Sequence, residues 1–111
     1  MAFEEPTISY NGEIREISLG KEAGVTVGGE TCYPFYLFEG KMPHRPVIAM
    51  DVYDSEPEEW PESILAPFAD VVDDPVAWAK KCVESYGAEM IALQLVSTDP
   101  NGLDTSPEQA V

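Results

Sequence analysis

Acidic and polar side chains follow two apolar runs of strand length, and these are the residues whose types could do chemistry. The first run, PVIAMDVYD, ends at Asp54 and carries Asp51 near its carboxyl end. After the second run, MIALQLVS, the chain carries a group of polar residues that begins with the last residue of the run: Ser97, Thr98, Asp99 and Asn101. Two carboxylates such as Asp54 and Asp99 can share general acid and base work when a fold brings them together.

Each of these side chains also has an ordinary structural role. Asp99-Pro100-Asn101-Gly102 has the composition of a tight turn, in which an Asp side chain bonds to the backbone two residues on. Asp51 and Asp54 could equally cap the segment that follows their strand. These roles are favoured over direct proton transfer, so the sequence predicts no catalytic residue.

The elements that must position these residues form a strand, helix, strand unit. Both apolar runs have the pattern of strands buried on two faces, as parallel strands are. Between them the sequence predicts a helix, with Asp74 as its N-cap, Pro75 as its first residue and Gly87 just after its last turn. Its apolar stripe is predicted at Val76, Ala79, Val83 and Tyr86, with Trp78 and Cys82 beside it. The proline-rich connection at 55–73 should hold only short helical turns.

Ahead of this unit, the sequence predicts a β-hairpin. EIREISLG and GVTVGG are typical of two short strands, with Gly20 and Gly24 at the turn between them. Gly28-Gly29 lacks the following helix of a phosphate loop, and a bend at the end of the hairpin explains it better. An aromatic run from Tyr33 to Phe38 and a proline-bounded loop around His44 come next.

The last residues, DTSPEQAV, carry the signals of a helix start, but too few residues follow to complete a helix. Ser106 is a good N-cap, and Pro107 suits the first helical position. Two parallel strands cannot cover their own apolar faces, so further strand and helix units are expected after Val111. We therefore expect an N-terminal extension with a hairpin at 1–45. At 46–111 we expect the first βαβ unit of a larger α/β fold and the start of its second helix.

The charge balance argues against several partner classes. With 21 Asp and Glu against 6 Lys and Arg, the formal net charge is −15, which repels nucleic-acid phosphates and anionic membrane surfaces. No run reaches the ~20 apolar residues of a membrane span, and the N-terminal stretch does not have the pattern of a signal peptide, so a cytoplasmic protein is expected. Cys32 and Cys82 lack the CxxC spacing of zinc or iron–sulfur sites and are predicted to be free thiols. The alternative is a disulfide between them, which a reducing cytosol disfavours.

Six strings carry a resemblance to a known family. They are VGGE (27–30), PFYLFEG (34–40), RPVIAMDVYD (45–54), WPESILAPFADV (60–71), DPVAWAKKCVESYGAE (74–89) and STDPNGLD (97–104). In this order, they resemble the start of the small (delta) subunit of the corrinoid iron–sulfur protein. That protein belongs to the acetyl-CoA decarbonylase/synthase complex, also called carbon monoxide dehydrogenase/acetyl-CoA synthase. The resemblance extends from about Ile14 to the last residue.

The resemblance implies a fold and a function. It implies that 46–111 is the N-terminal portion of a (β/α)8 TIM barrel of about 250 residues, with the hairpin as a short extension. It also implies a non-catalytic subunit of a methyl carrier in the reductive acetyl-CoA (Wood-Ljungdahl) pathway, which passes a methyl group from methyltetrahydropterin to acetyl-CoA synthase. A large (gamma) partner subunit is expected to hold the corrinoid (cobalamin) and a [4Fe-4S] cluster, so that this chain binds neither alone. The methyltransferase and the synthase are expected as transient partners.

In such a barrel, the carboxyl ends of the strands form the working face. The resemblance therefore makes Asp54, Ser97, Asp99 and Asn101 the candidates for contact with the corrinoid or with partner loops. No metal ligand is predicted. His44 could be a lower axial cobalt ligand, but without an Asp-x-His-x-x-Gly context it is better explained as a surface-loop histidine.

The sequence is also compatible with two other functions. A pterin-dependent methyltransferase could be built on the same barrel, with pterin contacts sought at Asp99-Pro100-Asn101-Gly102. Alternatively, the 111 residues form a small acidic interaction domain that is unrelated to this family. Trp60 could anchor a partner in any of these settings, whereas helical spacing places Trp78 in the core.

Overall fold

The computed structural model describes residues 2–4, 6, 11–22, 24–33, 35 and 40–111. The chain divides into two compact units, Met1–Val47 and Ile48–Val111. Within the described residues, each unit holds one two-stranded sheet, so the architecture is mixed α/β with small sheets. Much of the predicted aromatic run, namely 34 and 36–38, lies outside the described residues.

The first unit contains the predicted hairpin. Strand β1 (Ile17–Leu19) pairs antiparallel with β2 (Val25–Val27). The hydroxyl oxygens of Ser18 and Thr26 lie 2.8 Å apart across this ladder. Such cross-strand pairs stabilise a short ribbon that has little core of its own.

The backbone pairing of the hairpin continues beyond β2. Gly29 donates a hydrogen bond to the carbonyl of Ile14, and Ile14 donates one to the carbonyl of Glu30, both at 2.8 Å. Gly28 has a φ of +88°, and a Cβ atom there would lie 2.1 Å from the carbonyl oxygen of Arg15. Glycine is therefore required at this close approach, which is a structural role for Gly28.

The second unit has the predicted parallel pair. Strands β3 (Ala49–Tyr53) and β4 (Met90–Gln94) pair in parallel, with Val52 opposite Leu93. Both strands are shorter than the apolar runs that predicted them. Because Val96 already begins a 3-10 turn at Val96–Thr98, the ladder cannot extend to the end of the second run.

The connection after β3 contains only short helical turns, as its prolines predicted. Helix α1 (Glu62–Leu65) is followed by a 3-10 turn at Ala66–Phe68. Val72, near the end of the connection, is buried. The side-chain amine of Lys81 donates to the carboxylate of Asp70 at 2.6 Å, which ties the connection to the next helix.

Helix α2 (Pro75–Glu84) begins where local signals predicted. The Asp74 carboxylate accepts hydrogen bonds from the backbone N–H groups of Val76 and Ala77 at 3.0 and 3.1 Å, which satisfies two of the free donors of the first turn. Gly87 takes a φ of +68° after the last turn, as a residue that ends a helix commonly does. A last short helix, α3 (Pro107–Ala110), follows Ser106.

The buried face of α2 differs from the predicted stripe. Trp78 is 1% exposed and Cys82 is fully buried, whereas Val76 is 64% exposed. Residues four apart lie on the same face of a helix, so Trp78 and Cys82 form one face and carry the largest side chain into the core. The predicted stripe was therefore wrong at Val76, Val83 and Tyr86, which are exposed, whereas Ala79 packs against the core as predicted.

The core of the second unit lies between α2 and one face of the sheet. Val52, Val72, Trp78 and Cys82 form its buried cluster. Burial raises the pKa of the Cys82 thiol, as expected for a free thiol in apolar surroundings.

The opposite face of the sheet is polar in part. Asp51 is exposed there, and its carboxylate accepts a hydrogen bond from the Gln94 side-chain amide at 3.3 Å. Val52 is the one fully buried residue of β3 and β4. The expectation that both strands are buried on two faces is therefore not met within the described residues. Among the residues that the structure describes, no helix has the length and apolar character needed to cross a bilayer.

Replacing Trp78 by Ala should destabilise the protein by about 3–5 kcal/mol, because it leaves a cavity beside Val52 and Cys82. The exposed Val76 on the same helix provides the control, and Val76→Ala should change the free energy of unfolding by less than about 0.5 kcal/mol. Urea denaturation of the full-length protein, followed by circular dichroism, measures both. Equal losses in the two variants would show that the buried face of α2 is assigned wrongly.

Candidate functional site

The predicted site residues lie at the carboxyl ends of β3 and β4. Because the two strands run in parallel, these ends meet at the same edge of the sheet. The chain leaves β3 through Asp54 and leaves β4 through the 3-10 turn at Val96–Thr98. This edge therefore brings together side chains that are far apart in sequence.

Asp54 and Ser97 bind each other across this edge. Oδ1 of Asp54 accepts a hydrogen bond from the backbone N–H of Ser97 at 2.9 Å, and Oδ2 accepts one from the Ser97 hydroxyl. Ser97 is only 8% exposed. Its carbonyl accepts a hydrogen bond from the backbone N–H of Thr105 at 2.8 Å, which closes the base of the loop at 97–105. We call the two bonds between Asp54 and Ser97 the Asp54–Ser97 link.

The link favours the ionised form of Asp54. Burial disfavours the carboxylate and acts to raise its pKa, but the hydrogen bonds from the hydroxyl and the amide of Ser97 favour the carboxylate and outweigh burial. The pKa of Asp54 therefore lies below its ordinary value. At neutral pH the group is an anion with no proton to give, so its geometry suits positioning and does not suit a general acid.

Asp99 organises its own turn. Its Oδ1 accepts a hydrogen bond from the backbone N–H of Asn101 at 2.8 Å, and its carbonyl accepts bonds from Gly102 and Asp104, both at 3.0 Å. This is the turn chemistry that the sequence predicted for Asp99-Pro100-Asn101-Gly102. Asn101 is exposed and supplies its backbone to the turn.

An open groove of about 810 Å³ lies at the same edge. Its apolar wall includes Tyr53, Trp60, Val96 and Leu103. Its acidic rim consists of Glu56, Glu58, Glu59 and Asp99. Asp99 is the one predicted site residue among the described residues that line the groove, whereas Asp54 and Ser97 hold the adjoining loop.

Sequence reasoning missed most of this groove. Most of its lining comes from the segment 53–60, which continues beyond the end of β3 without forming a helix or a strand. The rings of Tyr53 and Trp60 are 5.0 Å apart in an edge-to-face arrangement, and Trp60 contacts Trp78 in the same way at 5.8 Å. An aromatic residue on each side of an acidic run is the signal that could have indicated this wall. The core position predicted for Trp78 is confirmed.

His44 lies in the first unit and has a carboxylate neighbour. Its Nε2 is 2.7 Å from Oε2 of Glu16. In the part of the chain that the structure describes, no three His, Cys, Asp or Glu side chains are grouped in a way that could hold a metal ion. The His44 contact connects the loop around this residue to the strand-like segment that precedes β1.

The chain matches one family model, described as CO dehydrogenase/acetyl-CoA synthase delta subunit, over residues 16–110. The chain belongs to this family. It is 40% identical, over 98% of its own length, to the acetyl-CoA decarbonylase/synthase complex subunit delta of Archaeoglobus fulgidus. It is 41% identical, over 97% of its length, to the subunit of the same name from Methanocaldococcus jannaschii, and 38% identical, over 97%, to that from Methanothermobacter thermautotrophicus.

The chain spans about a quarter of the length of these curated relatives. The matches cover 26% of the Archaeoglobus fulgidus protein and 28% of each of the other two. The matched residues include both strands of the parallel pair, helix α2 and the loops at the strand ends. The candidate site therefore lies inside the part of the chain that carries the family resemblance.

Replacing Asp54 by Asn should lower stability and weaken its dependence on acid pH. The folded-state pKa of Asp54 is depressed, so the link stabilises the fold above the unfolded-state pKa, and this contribution is lost as pH falls through the folded-state pKa. At neutral pH we expect a loss of about 1 kcal/mol, since a neutral amide cannot accept both bonds from Ser97. Urea denaturation at several pH values between about pH 7 and about pH 3 measures the loss of stability and its dependence on pH.

The matched control is Asp73→Asn, which changes an exposed carboxylate outside the link. This variant should keep the acid dependence of the unsubstituted protein. If Asp54→Asn kept the same dependence too, the link would have no part in acid stability.

Proposed function

We propose that the full protein is the delta subunit of a corrinoid iron–sulfur methyl carrier. In this role it helps to pass a methyl group from methyltetrahydropterin to acetyl-CoA synthase. The observation that carries the proposal is the family match over residues 16–110. The names of the relatives describe a subunit of a complex, which supports an assembly with other chains. The proposed site of action is the cytoplasm.

The same proposal takes the second unit as the beginning of a (β/α)8 barrel. Strand β3, helix α2 and strand β4 form a parallel βαβ unit, which is the repeating element of such barrels. The relatives are about four times as long as the matched segment, which is enough for the remaining units. In a barrel, the edge that carries the Asp54–Ser97 link becomes part of the working face.

We propose that Asn101 and Asp99 contact the corrinoid at this edge. A bound corrinoid supplies the cobalt that carries the methyl group, and its rim bears amide side chains. Asp54 and Ser97 already satisfy each other, so they position the loop at 97–105. The exposed side-chain amide of Asn101 can both donate and accept hydrogen bonds, and Asp99 has a second carboxylate oxygen beyond the one used in its turn.

The geometry favours positioning over proton transfer by this chain. Asp54 is ionised at neutral pH and its pKa is lowered further by the link, and the Asp99 carboxylate is engaged with its own turn. We assign the corrinoid and the [4Fe-4S] cluster to a large (gamma) subunit, with the methyltransferase and the synthase as transient partners. Family membership removes the interpretation of the chain as an unrelated acidic domain.

Replacing Asn101 by Ala in the complete complex should slow methyl transfer about fivefold, the cost of one lost hydrogen bond of about 1 kcal/mol. The melting temperature should stay nearly unchanged, because Asn101 contributes only its backbone N–H to the turn. Gln109→Ala removes an exposed amide from α3 and serves as the control. Equal transfer rates for both variants and the unsubstituted complex would remove Asn101 from the site.

The partner assignment has its own test. Full-length protein purified alone should be colourless, and it should form a stable complex with a larger, coloured subunit that contains the cobalamin and the cluster. Size-exclusion chromatography with absorption spectroscopy measures both properties. Stoichiometric cobalamin and a cluster absorption band in the subunit purified alone would contradict the proposal.

A further inference from the structure

The groove at the strand ends has an aromatic wall that packs on the core. The rings of Tyr53 and Trp60 are 5.0 Å apart, and Trp60 contacts the buried Trp78 at a ring distance of 5.8 Å. Because Trp78 is buried in the core, the rings that line the groove pack directly on the core. With about 810 Å³, the groove lies within the range of ~300–1,000 Å³ that is typical of ligand sites.

Four carboxylates surround this wall. Glu56, Glu58, Glu59 and Asp99 are exposed, and none of them has a salt-bridge partner within the described ranges. The described lining residues include no Lys, Arg or His. Carboxylates beside a low-dielectric wall create a negative potential that attracts cations and repels anions.

A positive group on an apolar stem matches both features of the groove. Lys and Arg side chains bury their methylene stems against apolar surface and keep the charged end free. Their cationic ends also bind favourably over the faces of Trp and Tyr rings. A groove with aromatic residues such as Tyr53 and Trp60 inside and carboxylates at the rim therefore suits a Lys or Arg side chain better than a neutral or anionic group.

We propose that this groove docks a basic segment of a partner protein, with an Arg or Lys side chain held between the aromatic wall and the acidic rim. The inference rests on the proposed function, in which the chain is a subunit that assembles with other proteins. Charge complementarity selects the occupant, because the rim is anionic and the whole chain has a net charge of −15. Arg, Trp and Tyr are also the residues that most often dominate binding energy at protein interfaces.

The test is isothermal titration calorimetry, in which the full-length protein is titrated with the peptide acetyl-Gly-Arg-Leu-Arg-Gly-amide. We expect saturable binding that weakens as the NaCl concentration rises, because added salt screens the carboxylates. The same peptide with citrulline in place of both arginines keeps the shape and loses the charge. It should bind about tenfold more weakly.

Paired substitutions locate the binding. Glu58→Gln with Glu59→Gln removes two rim charges and should weaken binding of the arginine peptide about tenfold. Glu13→Gln with Glu22→Gln makes the same change in net charge in the first unit and should leave binding unchanged. Circular dichroism checks that both double variants are folded.

Three results would overturn the inference. Equal binding of the arginine and citrulline peptides would show that the groove does not select a cation. Equal losses in the two double variants would show attraction by net charge alone. Spermidine that binds as tightly as the arginine peptide would assign the groove to a small polyamine instead of a protein segment.

The peptide titration contains neither a corrinoid nor a partner subunit, so it tests the groove separately from the proposed function. A protein that pairs with the coloured subunit but does not bind the peptide overturns the docking inference alone. A protein that binds the peptide in the groove but forms no complex with a corrinoid subunit overturns the methyl-carrier function alone.

Discussion

The packing of Trp78 is the contact on which the second unit depends. Its side chain is 1% exposed and lies against Val52 on the sheet and Cys82 on its own helix. It also contacts Phe68 from the connection at a ring distance of 5.8 Å, and Trp60 at the same distance. Through Trp60, the core continues without interruption to the groove. The shape of the surface site is thus set by the same aromatic packing that stabilises the fold.

The polar residues at the strand ends have a supporting role of the same kind. Two strands of five residues each provide a short ladder, and the loops beyond them need further anchors. The Asp54–Ser97 link provides one anchor, and the turn around Asp99 provides another. Asp54, Ser97 and Asp99 are of residue types that can act in catalysis, but here their side chains hold exposed loops in place. What these loops present outward is an acidic rim around an aromatic wall.

Local features of the structure could be predicted from the sequence because their causes are local. The ends of α2 follow from Asp74, Pro75 and Gly87, each of which acts within one helical turn. The parallel pairing followed from two apolar runs that are separated by a helix. The buried face of α2 was predicted only in part: Trp78 was placed in the core correctly, but Val76 was also assigned to the buried stripe. Both residues are apolar, and the choice between them depends on the shape of the sheet.

The sequence predicted where the candidate site lies, but not how its residues interact. The resemblance placed Asp54 and Ser97 near the same edge, but the hydrogen bonds between them join residues 43 positions apart, and no local pattern encodes such a pair. The groove depends on the path of 53–60 through space, which periodicity does not describe.

The closed base of the loop at 97–105 separates the bonds that hold Ser97 from the residues that lie further out in the loop. Ser97 bonds to Asp54 and to Thr105, and neither bond involves the residues between Asp99 and Asp104. Substitutions in that stretch should change the lining of the groove while the register of β3 and β4 stays intact. This stretch can therefore vary in sequence at little cost to the pairing of β3 with β4.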